Sequence, residues 1–245
     1  MGRNSHFQFK QFTVQQGNAA MKVGTDGVLL GVWANTDNIN SVLDIGTGTG
    51  LIALMMAQRS EAIITAIEIE ENAYLDACLN IQNSTWPGRI KVVHSSFQQY
   101  LKNSNHLFDC VVCNPPYFTN SIRSETEAKA IARHNDQLPF EELVEGVSHI
   151  LNKDGHFSVV LPAGGENDFR YLAANVRLFP SRITRVKTKP SKPVSRILME
   201  FRFETTLKAE EELTIETKTH HEYLPEFIEL VKDFYLKLYN LFSSH

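Results

Sequence analysis

The chain has 245 residues, a formal net charge of −4, 42% hydrophobic and 21% charged residues. This is globular composition, long enough for one full α/β core, and the acidic balance argues against a protein that binds nucleic acid through bulk charge alone. No apolar run approaches the roughly 20 residues a bilayer span needs. The first residues lack a signal-peptide apolar core, and three cysteines suit a reducing compartment, so a cytoplasmic protein is expected.

In chain order, short apolar runs alternate with helical patterns. Ser41-Val-Leu-Asp-Ile45 reads as a strand, and 50–59 as a helix with Leu51, Leu54, Met55 and Gln58 on one face. A second strand is expected over 62–68, and a helix over 71–82 with Leu75 and Leu79 four apart. Strands follow at 89–94 and 108–113, then a helix over 140–151, a turn at Asn152-Lys-Asp-Gly155 and a strand over 156–161. This alternation implies a parallel sheet with helices on both faces. Next come strands at 183–188 and 196–203. Their link, 189–194, is too short for a crossover helix, so that pair should be antiparallel. The tail over 222–242 is amphipathic, with Phe227, Leu230, Phe234, Leu238 and Leu241 on one stripe. A single domain over 1–245 is the simplest reading, with 1–40 as an N-terminal flap, 41–203 as the core and 204–245 as a C-terminal extension carrying a helix.

Between the first strand and first helix lies Asp44-Ile-Gly46-Thr-Gly48-Thr-Gly50. Glycines there let the backbone turn tightly and approach a ligand, and the helix start favours a negative group. A simple turn is the alternative reading of such a loop taken alone. Its G-x-G-x-G spacing differs from the G-x-G-x-x-G of dinucleotide binders. Glu68 ends the second strand, 24 residues after Asp44, where a carboxylate accepts both ribose hydroxyl protons; an ordinary helix-start carboxylate is the alternative. Asp44 is then placed for the amino group of a methionine moiety, and Ser96 and Phe97 for adenine, unless these two only cap a helix.

Asn114-Pro115-Pro116-Tyr117 directly follows the fourth strand. The two prolines make the segment rigid and leave carbonyl oxygens exposed, either as a capped strand end or for chemistry. An exocyclic amine conjugated to a ring is a poor nucleophile because its lone pair is delocalised. If the Asn114 side-chain oxygen and the Pro115 carbonyl each accept one N–H, the nitrogen is drawn toward tetrahedral geometry and its lone pair can attack an electrophilic methyl. Tyr117, with Phe118, offers a face for a planar substrate.

These motifs together resemble the signature of class I amino-methyltransferases. Phe9-Lys-Gln-Phe12, Met21-Lys-Val-Gly-Thr-Asp-Gly-Val-Leu-Leu-Gly31, Trp33 and Asp233-Phe-Tyr-Leu236 are similar to the N- and C-terminal regions of the bacterial tRNA1(Val) (adenine-37 N6)-methyltransferases, and the resemblance runs over nearly the whole chain. With the elements above it implies a Rossmann-like class I methyltransferase fold, α/β, with a mostly parallel seven-stranded sheet, an antiparallel terminal hairpin and helices on both faces. It implies S-adenosylmethionine as cofactor and one methyl placed on N6 of the adenine beside the anticodon, in the anticodon loop of a valine isoacceptor tRNA. Cofactor-binding residues would be Lys22, Thr25, Asp44, Gly46, Gly48, Gly50, Glu68, Ser96, Phe97 and Asn114, with Lys22, Thr25 and Asp26 closing over the cofactor. Ser95-Ser96 stands where the family commonly has an acidic residue. Another amino nitrogen, on protein glutamine or on an rRNA or DNA base, is the alternative substrate.

An RNA substrate needs cations. Arg170, Arg177, Arg182, Arg185, Lys187, Lys189, Lys192, Arg196 and Arg202 fall in one stretch, opposed within it only by Glu200, while Glu204, Glu210, Glu211, Glu212 and Glu216 follow. A basic hairpin that holds phosphates, through Lys189 and Lys192 among others, is one reading, and a solvated hairpin the other. Arg133 follows the tetrad and is expected near the substrate, which must be splayed out of its stack to reach Tyr117. Cys110-x-x-Cys113 lies on a strand three apart, so the thiols face opposite sides and cannot share an ion. His220-His221 lacks a metal-ligand spacing. No metal, no membrane and no obligatory protein partner are expected.

Overall fold

A computed structural model describes residues 5–19, 21–115, 138–205 and 207–236. The main sheet has eight strands among the described residues, in the order β10 (Ala209–Thr214), β8 (Phe179–Lys187), β9 (Val194–Arg202), β7 (Leu151–Pro162), β6 (Phe108–Cys113), β3 (Ser41–Ile45), β4 (Ile63–Glu68) and β5 (Ile90–His94). The parallel part comprises β3, β4, β5, β6 and β7. Then β8 and β9 form the expected antiparallel hairpin, with β9 inserted against β7. A two-stranded hairpin, β1 (His6–Gln8) and β2 (Thr13–Gln15), stands apart from the sheet.

Two expectations change here. The sheet gains an eighth strand, β10 (Ala209–Thr214), parallel to β8 at the edge. Its run of glutamates hides it in the sequence, because an edge strand needs few apolar residues and only Leu213 is buried. The expected turn at 152–155 is instead the start of β7, joined to β6 through a register shift between Phe108 and Cys110. Asn152 Nδ2 donates to Asp109 Oδ1 at 2.6 Å there.

Both faces of the sheet are covered. On one lie α1 (Thr25–Trp33), α2 (Leu51–Arg59), α3 (Glu71–Gln82) and the tail helix α7 (Pro225–Val231); the core there includes Leu30, Leu54, Met55, Val112 and Phe227. On the other lie α4 (Phe97–Asn103), α5 (Phe140–Ile150) and α6 (Glu166–Asn175), around Phe108, Phe157, Phe169 and Phe201. Cys110 belongs to the first core and Cys113 to the second, as strand alternation requires.

Part of the expected flap is core. Helix α1 reads Thr-Asp-Gly-Val-Leu-Leu-Gly-Val-Trp, and every residue from Gly27 to Trp33 is buried. A helix apolar on all sides must be enclosed on all sides. Gly31 permits this: a Cβ there would stand 2.6 Å from Met55 Sδ. The tail helix is shorter than its stripe; Leu238 and Leu241 lie outside the described residues, while Phe227 and Phe234 are buried.

Candidate active site

The chain runs from β3 outward to β4 and β5, then returns to β6 on the other side of β3. The crevice at this reversal, beyond the carboxyl ends of the strands, is where ligands bind in open α/β sheets. Ile45 and Cys113 are Cα partners across β3 and β6, so Gly46 and Asn114 leave the sheet side by side. Two motifs nearly 70 residues apart thereby face one cleft, with an empty space of about 800 Å³, mouth included.

The glycine loop is built on backbone that side chains rarely adopt. Gly46, Gly48 and Gly50 have φ of 67°, 59° and 83°. A side chain would add roughly 1–2 kcal/mol of strain at each such position. At Gly46 and Gly48 a Cβ would meet no heavy atom within 4 Å, and both residues line the cleft. Thr47 N donates to Ile67 O at 2.9 Å, fastening the loop to β4.

Glu68 is 6% exposed and faces the loop. Its Oε2 accepts from Gly48 N at 2.8 Å, and its Oε1 from Ile69 N at 2.9 Å and Glu70 N at 2.8 Å. A carboxylate oxygen takes about two donors, so Oε2 keeps capacity for one hydroxyl while Oε1 is filled. The bidentate grip on ribose read from the sequence is thus reduced to one oxygen with these backbone bonds in place.

Asp44 does not line the cleft. It is fully buried behind the loop, where Oδ2 accepts from Thr47 Oγ1 at 2.5 Å and from Ala53 N at 3.1 Å, while Oδ1 has no partner. Burial raises its pKa to about 7; the bonds from Thr47 and Ala53 oppose this, and the Glu68 charge adds to it. A buried acceptor without a donor, beside a second carboxylate, is a site of negative potential suited to a cationic ligand.

Ser96 caps a helix, and it lines the cleft together with Phe97. Its Oγ accepts from Gln99 N at 3.1 Å at the start of α4. Asn114 is half-buried on the lining, and Pro115 is buried beside it. Pro116, Tyr117, Phe118 and Arg133 lie outside the described residues. Thr25 opens α1, and Asp26 accepts from Arg196 Nε at 2.9 and 3.0 Å; neither they nor Lys22 or Gly50 line the cleft. The structure adds lining residues that sequence reasoning missed: Ala19, Met21, Ile69 and Glu70. Only Glu70, next but one to Glu68, carried a readable signal.

The basic stretch does not survive as a patch. Folding brings the following acidic segment alongside it, because β10 pairs with β8. Arg185 pairs with Glu166 and Glu210, Lys187 with Glu212, Lys189 with Glu216, Arg170 with Glu166 and Arg202 with Glu200. Arg182 lies over the Trp33 ring, 3.7 Å from its centroid. Lys192 is exposed at the hairpin turn. The turn after β10, closed by a bridge between Glu216 and Tyr223, brings Glu216, His220 and His221 together, their ligand atoms within 4.8 Å of one another, an arrangement the spacing did not suggest. No helix of the described residues is long and apolar enough to cross a membrane.

The cleft thus offers a glycine cradle, a ribose-competent carboxylate and an aromatic wall at Phe97, with an unpartnered carboxyl oxygen of Asp44 buried behind the loop. These groups fit an adenosyl cofactor bearing a cationic methionine. Residues 19–166 match the family model of the methyltransferase small domain. A predicted O-methyltransferase from Agrobacterium tumefaciens superposes with a TM-score of 0.68 at 19% identity, over 88% of this chain and 99% of that one. Fold and site define a class I methyltransferase that uses S-adenosylmethionine. More particular likenesses follow from sequence. A tRNA1(Val) (adenine(37)-N6)-methyltransferase of Christiangramia forsetii is 44% identical over 96% of this chain and 99% of its own. One from Bacteroides fragilis is 47% identical over 95% and 98%. The chain belongs to the tRNA1(Val) (adenine(37)-N6)-methyltransferase family.

Proposed function

We propose that this protein transfers a methyl group from S-adenosylmethionine to the exocyclic N6 of adenine 37 in tRNA1(Val), in the cytoplasm. The observation that carries the reading is the pairing of Ile45 with Cys113, which sets the glycine loop and Asn114 on one cleft. The similar proteins of C. forsetii and B. fragilis supply the choice of substrate.

When bound, the cofactor supplies a methyl carbon made electrophilic by its sulfonium sulfur. Gly46 and Gly48 let it approach the backbone, Glu68 takes a ribose hydroxyl, Phe97 walls the adenine, and Asp44 lends negative potential from behind the loop. The Asn114 side-chain oxygen and the Pro115 carbonyl accept the two N6 hydrogens and hold the lone pair toward the methyl. As the N–C bond forms and the C–S bond breaks, the same two acceptors stabilise the positive charge on nitrogen; the surplus proton then leaves to water. The reaction so read needs neither a metal nor a second protein. Tyr117 and Phe118 receive the flipped base, and Pro116 stiffens their approach. Arg133 and Lys192 hold nearby phosphates, with Lys189 contributing when it leaves Glu216.

The test is nucleoside analysis of valine tRNA after incubation with cofactor. N6-methyladenosine at position 37 is expected from the parent. Asn114→Ala should lower turnover by at least 100-fold while tRNA binding stays within a few-fold of the parent. Methylation retained in that variant would falsify the assigned role of Asn114. Label entering total protein but not total tRNA would overturn the substrate.

A further inference from the structure

Helix α3 buries two polar side chains beside Ala73, Ala77 and Ile81. Leu75 and Leu79, which the sequence pairs as one face, are 53% and 45% exposed, whereas Asp76 and Asn80 are 2% and 1% exposed. A helix that served only to cover the sheet would gain by turning the leucines inward and the polar groups to water. The buried polar pair is instead fully engaged with backbone from two other parts of the chain.

Asp76 Oδ2 accepts from Asn18 N at 3.1 Å and from Ala19 N at 2.9 Å, and Oδ1 accepts from Asn18 Nδ2 at 2.8 Å. Asn80 Oδ1 accepts from Gln15 N at 2.7 Å, while Nδ2 donates to Gln15 O at 2.8 Å and to Thr49 O at 2.9 Å. Gln15 ends β2, and Thr49 belongs to the glycine loop. Ala19, at the far end of the same strap, lines the cleft together with Met21, Gly46 and Gly48. The first turn of α3 lines it too, through Ala73. One helix therefore ties together three walls of the cofactor cleft: its own start, the strap over 15–19 and the glycine loop.

We propose that Asp76 and Asn80 are positioning residues for the cofactor, holding the N-terminal strap and the glycine loop in one rigid frame before the cofactor arrives. The physical gain is preorganisation. A strap already hydrogen-bonded at Gln15, Asn18 and Ala19 loses little freedom on binding, so the contacts made by the cleft appear as affinity. Without the pair, strap and loop would have to be ordered by the cofactor itself. The inference rests on the reading of the cleft as an S-adenosylmethionine site.

The experiment uses the full chain; binding and exchange are measured without RNA, and turnover with valine tRNA. Calorimetric titration with S-adenosylmethionine is combined with hydrogen exchange of the cofactor-free protein and steady-state methylation. Asp76→Ala should weaken cofactor binding at least tenfold and speed exchange at the amides of Asn18 and Ala19. It should raise KM for the cofactor while kcat at saturation stays within about threefold. A helix that mattered only for folding would lower the active fraction, and hence apparent kcat, and leave KM alone. Asp76→Asn, which keeps an acceptor for both backbone amides, should recover most of the affinity. Should Asp76→Ala fail to fold, Asn18→Ala serves instead: Asn18 is exposed, and its loss removes only one bond to Asp76. Threefold or greater weakening with faster exchange at Ala19 is then expected. Unchanged affinity in the folded Asp76→Ala protein, or in Asn18→Ala if that is the one that folds, overturns the proposal. A parent protein that binds no S-adenosylmethionine overturns the cofactor reading itself.

Discussion

The carboxyl of Asp44 sits beneath the glycine loop with one oxygen held by Thr47 and Ala53 and the other without a donor. Burial lifts its pKa from the ordinary 3.8 to about 7. Between those values the folded protein holds a proton that the unfolded chain has released. Stability from this group is therefore present at low pH, falls as pH rises through that window, and stays at its lower level above about pH 7. Asp44→Asn keeps an acceptor for Thr47 and Ala53 and removes the buried charge. It should stabilise the cofactor-free protein at pH 8 by roughly 1–4 kcal/mol, flatten the pH dependence of thermal unfolding from pH 5 to 8, and weaken cofactor binding. Thermal scans at several pH values with calorimetry check all three; a variant less stable than the parent at pH 8 would contradict them. The motif made Asp44 readable as a cofactor residue. Its burial, and so its indirect action, comes from β4 and β6 closing on either side of β3.

Elements were legible where one face is apolar and the other wet, as in the helix over 140–150 with Leu143, Val144, Val147 and Ile150 buried. The helix over 71–82 has the bounds the sequence implied but turns its leucines outward, and β10 was not read from the sequence. Helix α3 turns polar groups inward to serve the strap, and β10 shows glutamates because it pairs its charges with Arg185 and Lys187. Such partly exposed pairs contribute at most about 1 kcal/mol each, but they cancel the charge segregation seen in one dimension. Close packing of elements gives a sharper test. At Gly146 on α5 a Cβ would stand 2.5 Å from Phe97 Cε1 and 2.7 Å from Leu101 Cδ1. Gly146→Ala should push α4 outward, cost about 1–3 kcal/mol of stability and weaken cofactor binding through Phe97. Denaturant unfolding and cofactor titration measure both, and an unchanged affinity would show that Phe97 does not depend on this contact.

At the scale of the whole molecule the first and last described segments meet. Phe9 and Tyr235 form an isolated bridge, Lys10 N donates to Phe234 O at 2.8 Å, and the rings of Phe7, Phe9 and Tyr235 meet tilted or edge-on. Phe227, Val231 and Phe234 are buried in the same core as α1 and α2. The tail therefore closes the base on which the N-terminal hairpin and its strap are mounted. Ending the chain after Leu224 removes three fully buried apolar side chains, worth about 1.5–3 kcal/mol each. That truncation should lower the unfolding midpoint sharply and loosen the strap, with cofactor affinity falling as well. Equal midpoints for the truncated and full chains would show that the tail is not part of the core.

By itself the sequence determined the class of fold, the chemistry and the order of its parts. The parallel alternation, the glycine loop, Glu68 and Asn114 are all local: each depends on residue types at short spacing, which one dimension preserves. The tertiary structure alone decided what stands next to what. It set Gly46 beside Asn114 through the pairing of β3 with β6, turned the polar side of α3 inward and neutralised the basic hairpin with a strand of glutamates. Those outcomes depend on strand order, and strand order follows from how the long-range apolar faces bury one another, not from any motif.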